Sequence, residues 1–442
     1  MRITVVACGT RGDVQPAAVI AAELGRRGHD VVLATADDLV PFGRAIGVTT
    51  VPLGFEIRAF LRSEQGAAFM ATGASRAYLT GVVAYKRSKT ETFFPAFAAA
   101  CAGADVIVSN HLTLDEARCV GAAEHIPVIG LFHAPRRQNP AFPSFIVTAR
   151  RVPRLLRPLT HLLASAWDKR AKKDYLAEFR RAMGLSASRQ HTSPRPVLEV
   201  QAYSALIVPE LRTWSPLRPL TGFPEATPEQ HALWGDAVPD ESLQHWLDAG
   251  DPPVYFGFGS MPVRDPGAVT AMIRRVCETL GLRGLIGAGW SDLEATEQHD
   301  RIRVVGAVDH AALLPRCAVA VHHGGAGTTA AAVAAGVPSV VCAVAFDQSF
   351  WGGRLEDRGI GTWLPFSEMS ETTLVRAIRQ LLEPSVRRRA SELRSQLVVE
   401  DGTRGAADAI CDAADRHLTT HRTEACRRGS RTSGPGRTVG AE

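Results

Sequence analysis

The chain predicts an α/β protein built from two doubly wound domains, each a parallel sheet wrapped by helices. Three observations carry this. Short apolar runs rich in β-branched residues alternate with helical periodicity. The alternation occurs twice, on either side of a proline-rich stretch. The length, 442 residues, suits two domains.

The first apolar run, residues 3–8, reads as a buried parallel strand. A Gly9-Thr10-Arg11-Gly12 turn follows, then a helical stripe with Val19, Ile20 and Leu24 that stops at Gly28. Residues 30–35 form the second strand, and 105–109 and 127–132 read as later strands of the same sheet. The pattern restarts with strands at 254–258, 285–287, 303–305, 318–322 and 339–343, and with helices at 269–280 and 328–335. Pro209, Pro216, Pro219, Pro224 and Pro228 mark the connection between the halves. The expected division is a first domain over 1–220, a linker over 221–240, a second domain over 241–400, a terminal helix over 401–418 and a disordered tail over 419–442. The tail is rich in Arg, Gly and Ser and has few large apolar residues to offset its ordering entropy.

Composition excludes several classes. Hydrophobic residues at 45% and charged ones at 21% are those of a globular chain, not a disordered or collagen-like one. A net charge of +5 is too mild to indicate nucleic acid. Eight scattered cysteines show neither CxxC pairs nor zinc spacing, which fits a reducing cytoplasm. No signal peptide and no spanning run of about 18 apolar residues is evident. One segment stands apart. Residues 136–181 carry twelve Lys or Arg against Asp168, Asp174 and Glu178, interleaved with Leu155, Leu156, Leu159, Leu162, Leu163 and Trp167. That is +9, and it leaves −4 for the rest of the chain. Such a segment is either a solvated helix face or a peripheral membrane contact.

The strongest chemical signal is His322-His323-Gly324-Gly325-Ala326-Gly327-Thr328-Thr329, at a strand end and opening a helix. Glycines let a ligand approach the backbone, and free N–H groups at the helix start suit a diphosphate. Neighbouring residues on a strand face opposite ways, so at most one of the two histidines meets that ligand. Asp347-Gln348 follow the next strand; an acid beside an amide supplies the acceptors and donor that grip sugar hydroxyls. Asp13 opens the first helix and reads as a general base or as a helix cap. His310 is a candidate for lining a nucleotide. The first turn is G-x-x-G rather than GxGxxG, which speaks against a dehydrogenase. No metal-ligand pattern appears, so no metal or cofactor is expected.

GTRGDVQP (9–16), YFGFGSM (255–261), AVDHAALLPR (307–316), HHGGAGTTAA (322–331), GVPSV (336–340) and FDQSFWG (346–352) together resemble the GT-B-fold, family 1 nucleotide-sugar glycosyltransferases. The resemblance is greatest to the branch of sterol glucosyltransferases and bacterial natural-product transferases. It implies two Rossmann-like domains facing each other across a cleft, the first binding the acceptor and the second the nucleotide sugar. In the family an acid-Gln pair lies 24 and 25 residues after the phosphate-binding histidine, which here selects His323. The resemblance assigns the diphosphate to His323, Gly325, Ala326, Gly327 and Thr328 with Ser260, and the base to Val308 with His310 nearby. It assigns the sugar hydroxyls to Asp347 and Gln348, and donor contacts from the first domain to Thr10 and Arg11. Asp13 stands where many relatives carry a catalytic histidine, and Asn110 where they carry its partner acid, leaving Asp13 to act alone or with His111 or His133. The implied activity is inverting, metal-independent transfer from a UDP- or dTDP-sugar to a hydroxyl of a lipophilic small molecule. The alternatives are a nucleotide-sugar epimerase of the same fold and a non-catalytic activator of a partner transferase.

Overall fold

The computed structural model describes residues 1–64, 66, 75–185, 196–236, 239–259, 265–288, 301–306 and 308–432, with side chains through Thr419. In the first half the order is β1 (Arg2–Val6), α1 (Arg11–Arg26), β2 (Asp30–Thr35), α2 (Val40–Ala45), β3 (Thr49–Pro52), α3 (Ile57–Arg62), α4 (Ser75–Arg87), α5 (Thr90–Cys101), β4 (Val106–Asn110), α6 (Leu114–Glu124), β5 (Val128–Phe132), α7 (Arg157–Ala182) and β6 (Leu198–Gln201). The second half runs α8 (Pro228–Leu233), α9 (Glu241–Asp248), β7 (Val254–Gly257), α10 (Pro266–Leu280), β8 (Gly284–Gly287), β9 (Ile302–Val305), α11 (His310–Leu313), β10 (Val319–His322), α12 (Ala326–Ala335), β11 (Ser339–Ala343), α13 (Gln348–Asp357), β12 (Gly361–Pro365), α14 (Glu371–Leu381), α15 (Pro384–Leu397) and α16 (Gly402–Thr432).

The strands form two six-stranded sheets, β3-β2-β1-β4-β5-β6 and β12-β11-β10-β7-β8-β9, parallel throughout. Each order reverses once, between β1 and β4 and between β7 and β10. Ligands of open α/β sheets bind at the carboxyl ends of strands beside such a reversal. Strands β4, β5, β7 and β10 are buried along their whole length, because helices cover both faces.

The short strands β3, β6 and β12 escaped the sequence reading. β3 and β12 carry half-exposed residues at the sheet edges, and each ends in proline, so their apolar signal is weak. The proline-rich connection is more than a tether. Tyr203, Ile207, Val208, Leu211 and Phe223 are buried in one cluster with Trp351 and Leu355 of α13. Proline prevents regular structure there without preventing burial. The C-terminal end also differs from expectation: α16 continues past Thr419 to Thr432. Lack of apolar side chains argues against burial, not against a helix, and Ala, Glu and Arg are good helix formers. Residues 433–442 lie outside the described residues. α16 packs on α1, with Arg27 Nη1 2.6 Å from Asp408 Oδ1. Among the described residues no helix is long and apolar enough to cross a membrane.

Candidate active site in the cleft between the sheets

The base candidate sits where β1 ends at the first reversal. Thr10 is the N-cap of α1, and Asp13 occupies the third helical position, not the cap itself. Its Oδ2 accepts from the Thr10 N–H at 3.0 Å, with Thr10 Oγ1 at 3.5 Å. Gly9 makes this possible. Its φ of +122° suits glycine, and a Cβ there would lie 2.2 Å from Asp13 Oδ2. Burial first, then the negative charge of Asp347, push the Asp13 carboxyl up to about 7, against the Thr10 hydrogen bonds. A carboxyl with that affinity for a proton is a competent base near neutral pH.

The groups around Asp13 sort the candidates for its helper. Asn110 is spent on structure: its Nδ2 donates to the Cys8 carbonyl at 2.6 Å, and its Oδ1 accepts from Thr113 Oγ1 at 3.1 Å. His133 is buried, with both ring nitrogens unpartnered among the described residues. Burial lowers it to about 4, and the backbone carbonyl of Asp13 opposes that shift. His111 instead shares a small pocket with Arg136, Lys172, Lys86 and Glu116. Of the two histidines, His133 is therefore the one beside the Asp13 backbone.

At the second reversal β10 ends in the paired histidines. His322 is fully buried, and its Nδ1 accepts from the Gly324 N–H at 3.0 Å, which fixes the turn. His323 is half-buried, and its ring lies between two glycines. A Cβ on Gly259 would approach its Cε1 to 2.7 Å, and one on Gly325 its Nε2 to 2.5 Å. His323 Nδ1 and Thr329 Oγ1 are buried without a partner among the described residues. Burial lowers His323 to about 4, so its imidazole is neutral and able to donate. Gly325 is the N-cap of α12, Ala326, Gly327 and Thr328 form its first turn, and no side chain caps it.

Asp347 and Gln348 open α13 after β11. Asp347 Oδ2 accepts from Trp351 Nε1 at 2.9 Å, and burial raises its carboxyl despite that bond. Gln348 Oε1 accepts from the Val344 and Ala345 N–H groups at 2.7 and 3.1 Å, which leaves its amide N–H groups for a ligand. Phe346, at φ +58°, reaches across the cleft to Tyr78 of α4 with ring centroids 4.6 Å apart. His310 Nε2 lies 2.9 Å from Tyr255 Oη. Val308 is half-buried just before it, and Ser260 lies outside the described residues.

Arg11 does something the sequence did not signal. Its Nη1 donates to Asp236 Oδ1 at 2.8 Å, and its Nη2 donates to Oδ2. Its Nε donates to Gln15 Oε1 at 2.9 Å, and its guanidinium lies 5.1 Å from the Phe42 ring. Phe42 stacks on Trp234 at 4.1 Å, and His231 Nδ1 lies 2.8 Å from Asp236 Oδ2. Burial pushes the Asp236 carboxyl up, but the bonds from His231 and Arg11 outweigh it and hold the group at about 2. Arg11 is thus a clamp onto the connection between the halves rather than an open ligand group. The partners Trp234 and Asp236 lie over 220 residues from Arg11, beyond any local pattern.

The two halves close on each other near both reversals: α1 touches α12, and the charge of Asp347 acts on Asp13. An uncharacterized glycosyltransferase of Mycobacterium tuberculosis is 33% identical over 94% of this chain and 100% of its own. The chain belongs to the GT-B glycosyltransferases. Residues 3–104 of the glycosyltransferase match the glycosyltransferase family 28 N-terminal domain, and residues 291–404 the erythromycin biosynthesis protein CIII-like C-terminal domain. A sterol 3-beta-glucosyltransferase of Arabidopsis thaliana is 31% identical over 95% of this glycosyltransferase and 68% of its own length. The crystal structure of glycosyltransferase VinC in complex with dTDP shares its fold, with a TM-score of 0.62 at 18% identity over 94% of this chain and 100% of that one.

Proposed function

We propose that the enzyme transfers a sugar from a UDP- or dTDP-linked donor to a hydroxyl of a lipophilic small molecule, with inversion and without a metal. The first half, 1–220, takes the acceptor, and the second, 241–400, the donor. Asp13 accepts the hydroxyl proton as oxygen attacks the anomeric carbon through an oxocarbenium-like state. His323, which donates from a neutral ring, and the N–H groups at Gly325, Ala326, Gly327 and Thr328 take up the charge growing on the departing diphosphate. Ser260 assists them. Asp347 and the free N–H groups of Gln348 hold sugar hydroxyls, and Val308 with His310 borders the base. Thr10 contributes from the first half, with Arg11 acting through its clamp on Asp236. The dTDP in the VinC structure supports a donor of this class. Contact with a membrane surface through 136–181 belongs to the same proposal.

The observation that carries this reading is that Asp13 and Asp347 come from opposite halves, with Asp347 near enough for its charge to raise the Asp13 carboxyl. A base from one domain and a sugar grip from the other meet at one place. The test is a thermal-shift screen of nucleoside diphosphates, then mass spectrometry of products from UDP- and dTDP-sugars with hydroxylated polyketides, terpenoids and sterols. A mass increase of one sugar residue, unchanged by EDTA, is expected. Sugar isomerisation without acceptor would identify an epimerase, and product only with an added partner chain would identify an activator.

A further inference from the structure

The start of α7 and the turn before it present a row of leucines to solvent. Leu155 is 92% exposed, Leu156 51%, Leu159 52%, Leu162 60% and Leu163 40%. Positions 155, 159, 162 and 163 lie on one helical stripe. The opposite side of the helix is committed, since Thr160, His161 and Ala164 are buried. The Ser144 N–H donates to Thr160 Oγ1 at 2.8 Å, and His161 Nε2 lies 3.0 Å from the Phe142 carbonyl. Phe142 packs edge-on to Phe350, with centroids 5.2 Å apart, next to Trp351, whose indole holds Asp347. Fastened in this way, the helix cannot rotate to hide its leucines.

The chain segment that carries this stripe has one sign of charge. No Asp or Glu occurs between His125 and Trp167, while Arg150, Arg151, Arg154 and Arg157 fall within that span. Arg151 reaches Asp357 of α13 at 2.8 Å, whereas the side chains of Arg150 and Arg154 make no ion pair among the described residues. Among the described residues, the other exposed large apolar ones, Leu217, Leu233, Val398 and Val399, are scattered singly or as one pair.

We infer that this face docks on an anionic lipid bilayer, with the leucines entering the boundary between headgroups and acyl chains and the arginines among the phosphates. A second copy is disfavoured, because a two-fold contact would set this cationic segment against itself. A specific protein partner normally meets aromatic anchors and charges of both signs, and the stripe has neither. The inference rests on the proposed transfer to a lipophilic acceptor, and it adds that the acceptor is drawn from the membrane. The buried side of α7, opposite the leucines, is linked through Phe142, Phe350 and Trp351 to Asp347.

The test is co-sedimentation of the full chain with vesicles of phosphatidylcholine alone or mixed with phosphatidylglycerol, at low and high salt. The wild type should pellet with the anionic vesicles at low salt and stay in solution with the neutral ones. Combined Leu155→Ser, Leu159→Ser and Leu162→Ser, or combined Arg150→Gln, Arg151→Gln and Arg154→Gln, should lower the bound fraction at least about tenfold. These side chains are exposed, so melting temperature and turnover of a detergent-dispersed acceptor should hold. Asp13→Asn should bind vesicles as the wild type does, which separates failure of docking from failure of the transfer reading. Three results would overturn the inference: no pelleting of the wild type at low salt, leucine variants that bind normally, or a wild-type dimer in light scattering that the leucine variants turn into a monomer.

Discussion

The two sheets repeat one strand order, yet the helices that open their reversals are finished in opposite ways. The N-terminus of α1 is occupied by its own chain: Asp13 turns back onto the Thr10 N–H, and Gly9 leaves room for the carboxylate. The N-terminus of α12 begins at Gly325 without a capping side chain, and a Cβ on Gly327 would meet nothing within 4 Å. Both helix ends are electropositive. The first is spent on an internal acid, and the second has no capping side chain of its own. The surroundings differ accordingly. The first half buries an ionic network in which Lys86 Nζ lies 2.7 Å from Glu116, Tyr175 Oη lies 2.8 Å from the same carboxylate, and Lys172 pairs with Asp115 at 2.8 Å. Between β10 and α13 the buried polar groups, His322, Thr329, Ser339 and Gln348, are uncharged, and the half-buried Asp347 supplies the charge. One topology therefore yields two differently finished helix ends, which suits the proposed division between a proton acceptor in the first half and a diphosphate site in the second.

The largest effect is expected from Asp13→Asn, which keeps an acceptor for the Thr10 N–H but removes the base. The kcat should fall by about 10²-fold or more. In the wild type, kcat/KM should rise with pH through about 7, where the Asp13 carboxyl loses its proton, and this limb should vanish in the variant. Retained turnover would reduce Asp13 to part of the helix cap. Next comes Gly327→Asp, which makes α12 resemble α1 by placing a carboxylate in its first turn. The site has open space for the side chain, and an acid there favours the helix, so melting temperature should hold or rise slightly. Dissociation constants for UDP and dTDP should rise more than about tenfold through like-charge repulsion. Undiminished nucleotide affinity by calorimetry would place the diphosphate elsewhere. A smaller effect, about tenfold in the same constants, is expected for His323→Ala, which removes one hydrogen bond to a charged group.

The contrast between the halves also explains what could be read beforehand. The doubly wound fold was legible because strands buried on both faces leave continuous apolar runs, as at residues 3–8 and 339–343. The glycine-rich turn after His323 and the Asp347-Gln348 pair were legible for a related reason, since backbone approach and helix starts leave local marks. Strand alternation says only that one of His322 and His323 turns inward; the family's spacing to Asp347 and Gln348 selects His323, and the structure has His322 buried and His323 half-buried. The Arg11–Asp236 clamp and the seating of His133 beside the Asp13 backbone left no such mark. Both join residues far apart in sequence, and a bare Arg or His looks the same whether it is tied or open. Asp13 itself was ambiguous for a physical reason: a cap and a base both call for an acid at a helix start, and here the carboxylate that accepts from the Thr10 N–H is also the one that burial raises to about 7.

The smallest expected effect sharpens the comparison through stability. An Asp carboxyl ordinarily titrates near 3.8, while folding raises that of Asp13 to about 7. Between those values the folded chain keeps a proton that the unfolded chain has released. This contribution to stability is fully present below about 4 and declines as pH rises through 7. Above 7 the folded state holds a charge that burial and Asp347 both disfavour. Asn carries no such charge at any pH. Asp13→Asn should therefore melt a few degrees above the wild type at pH 8, and the gap should close as the pH approaches 4. The analogous acid in Gly327→Asp, placed in an open first turn, should show no such pH-dependent penalty. Equal melting of wild type and Asp13→Asn across the range would mean that the Asp13 carboxylate is well solvated, and the two helix ends would then differ only in which residues they carry.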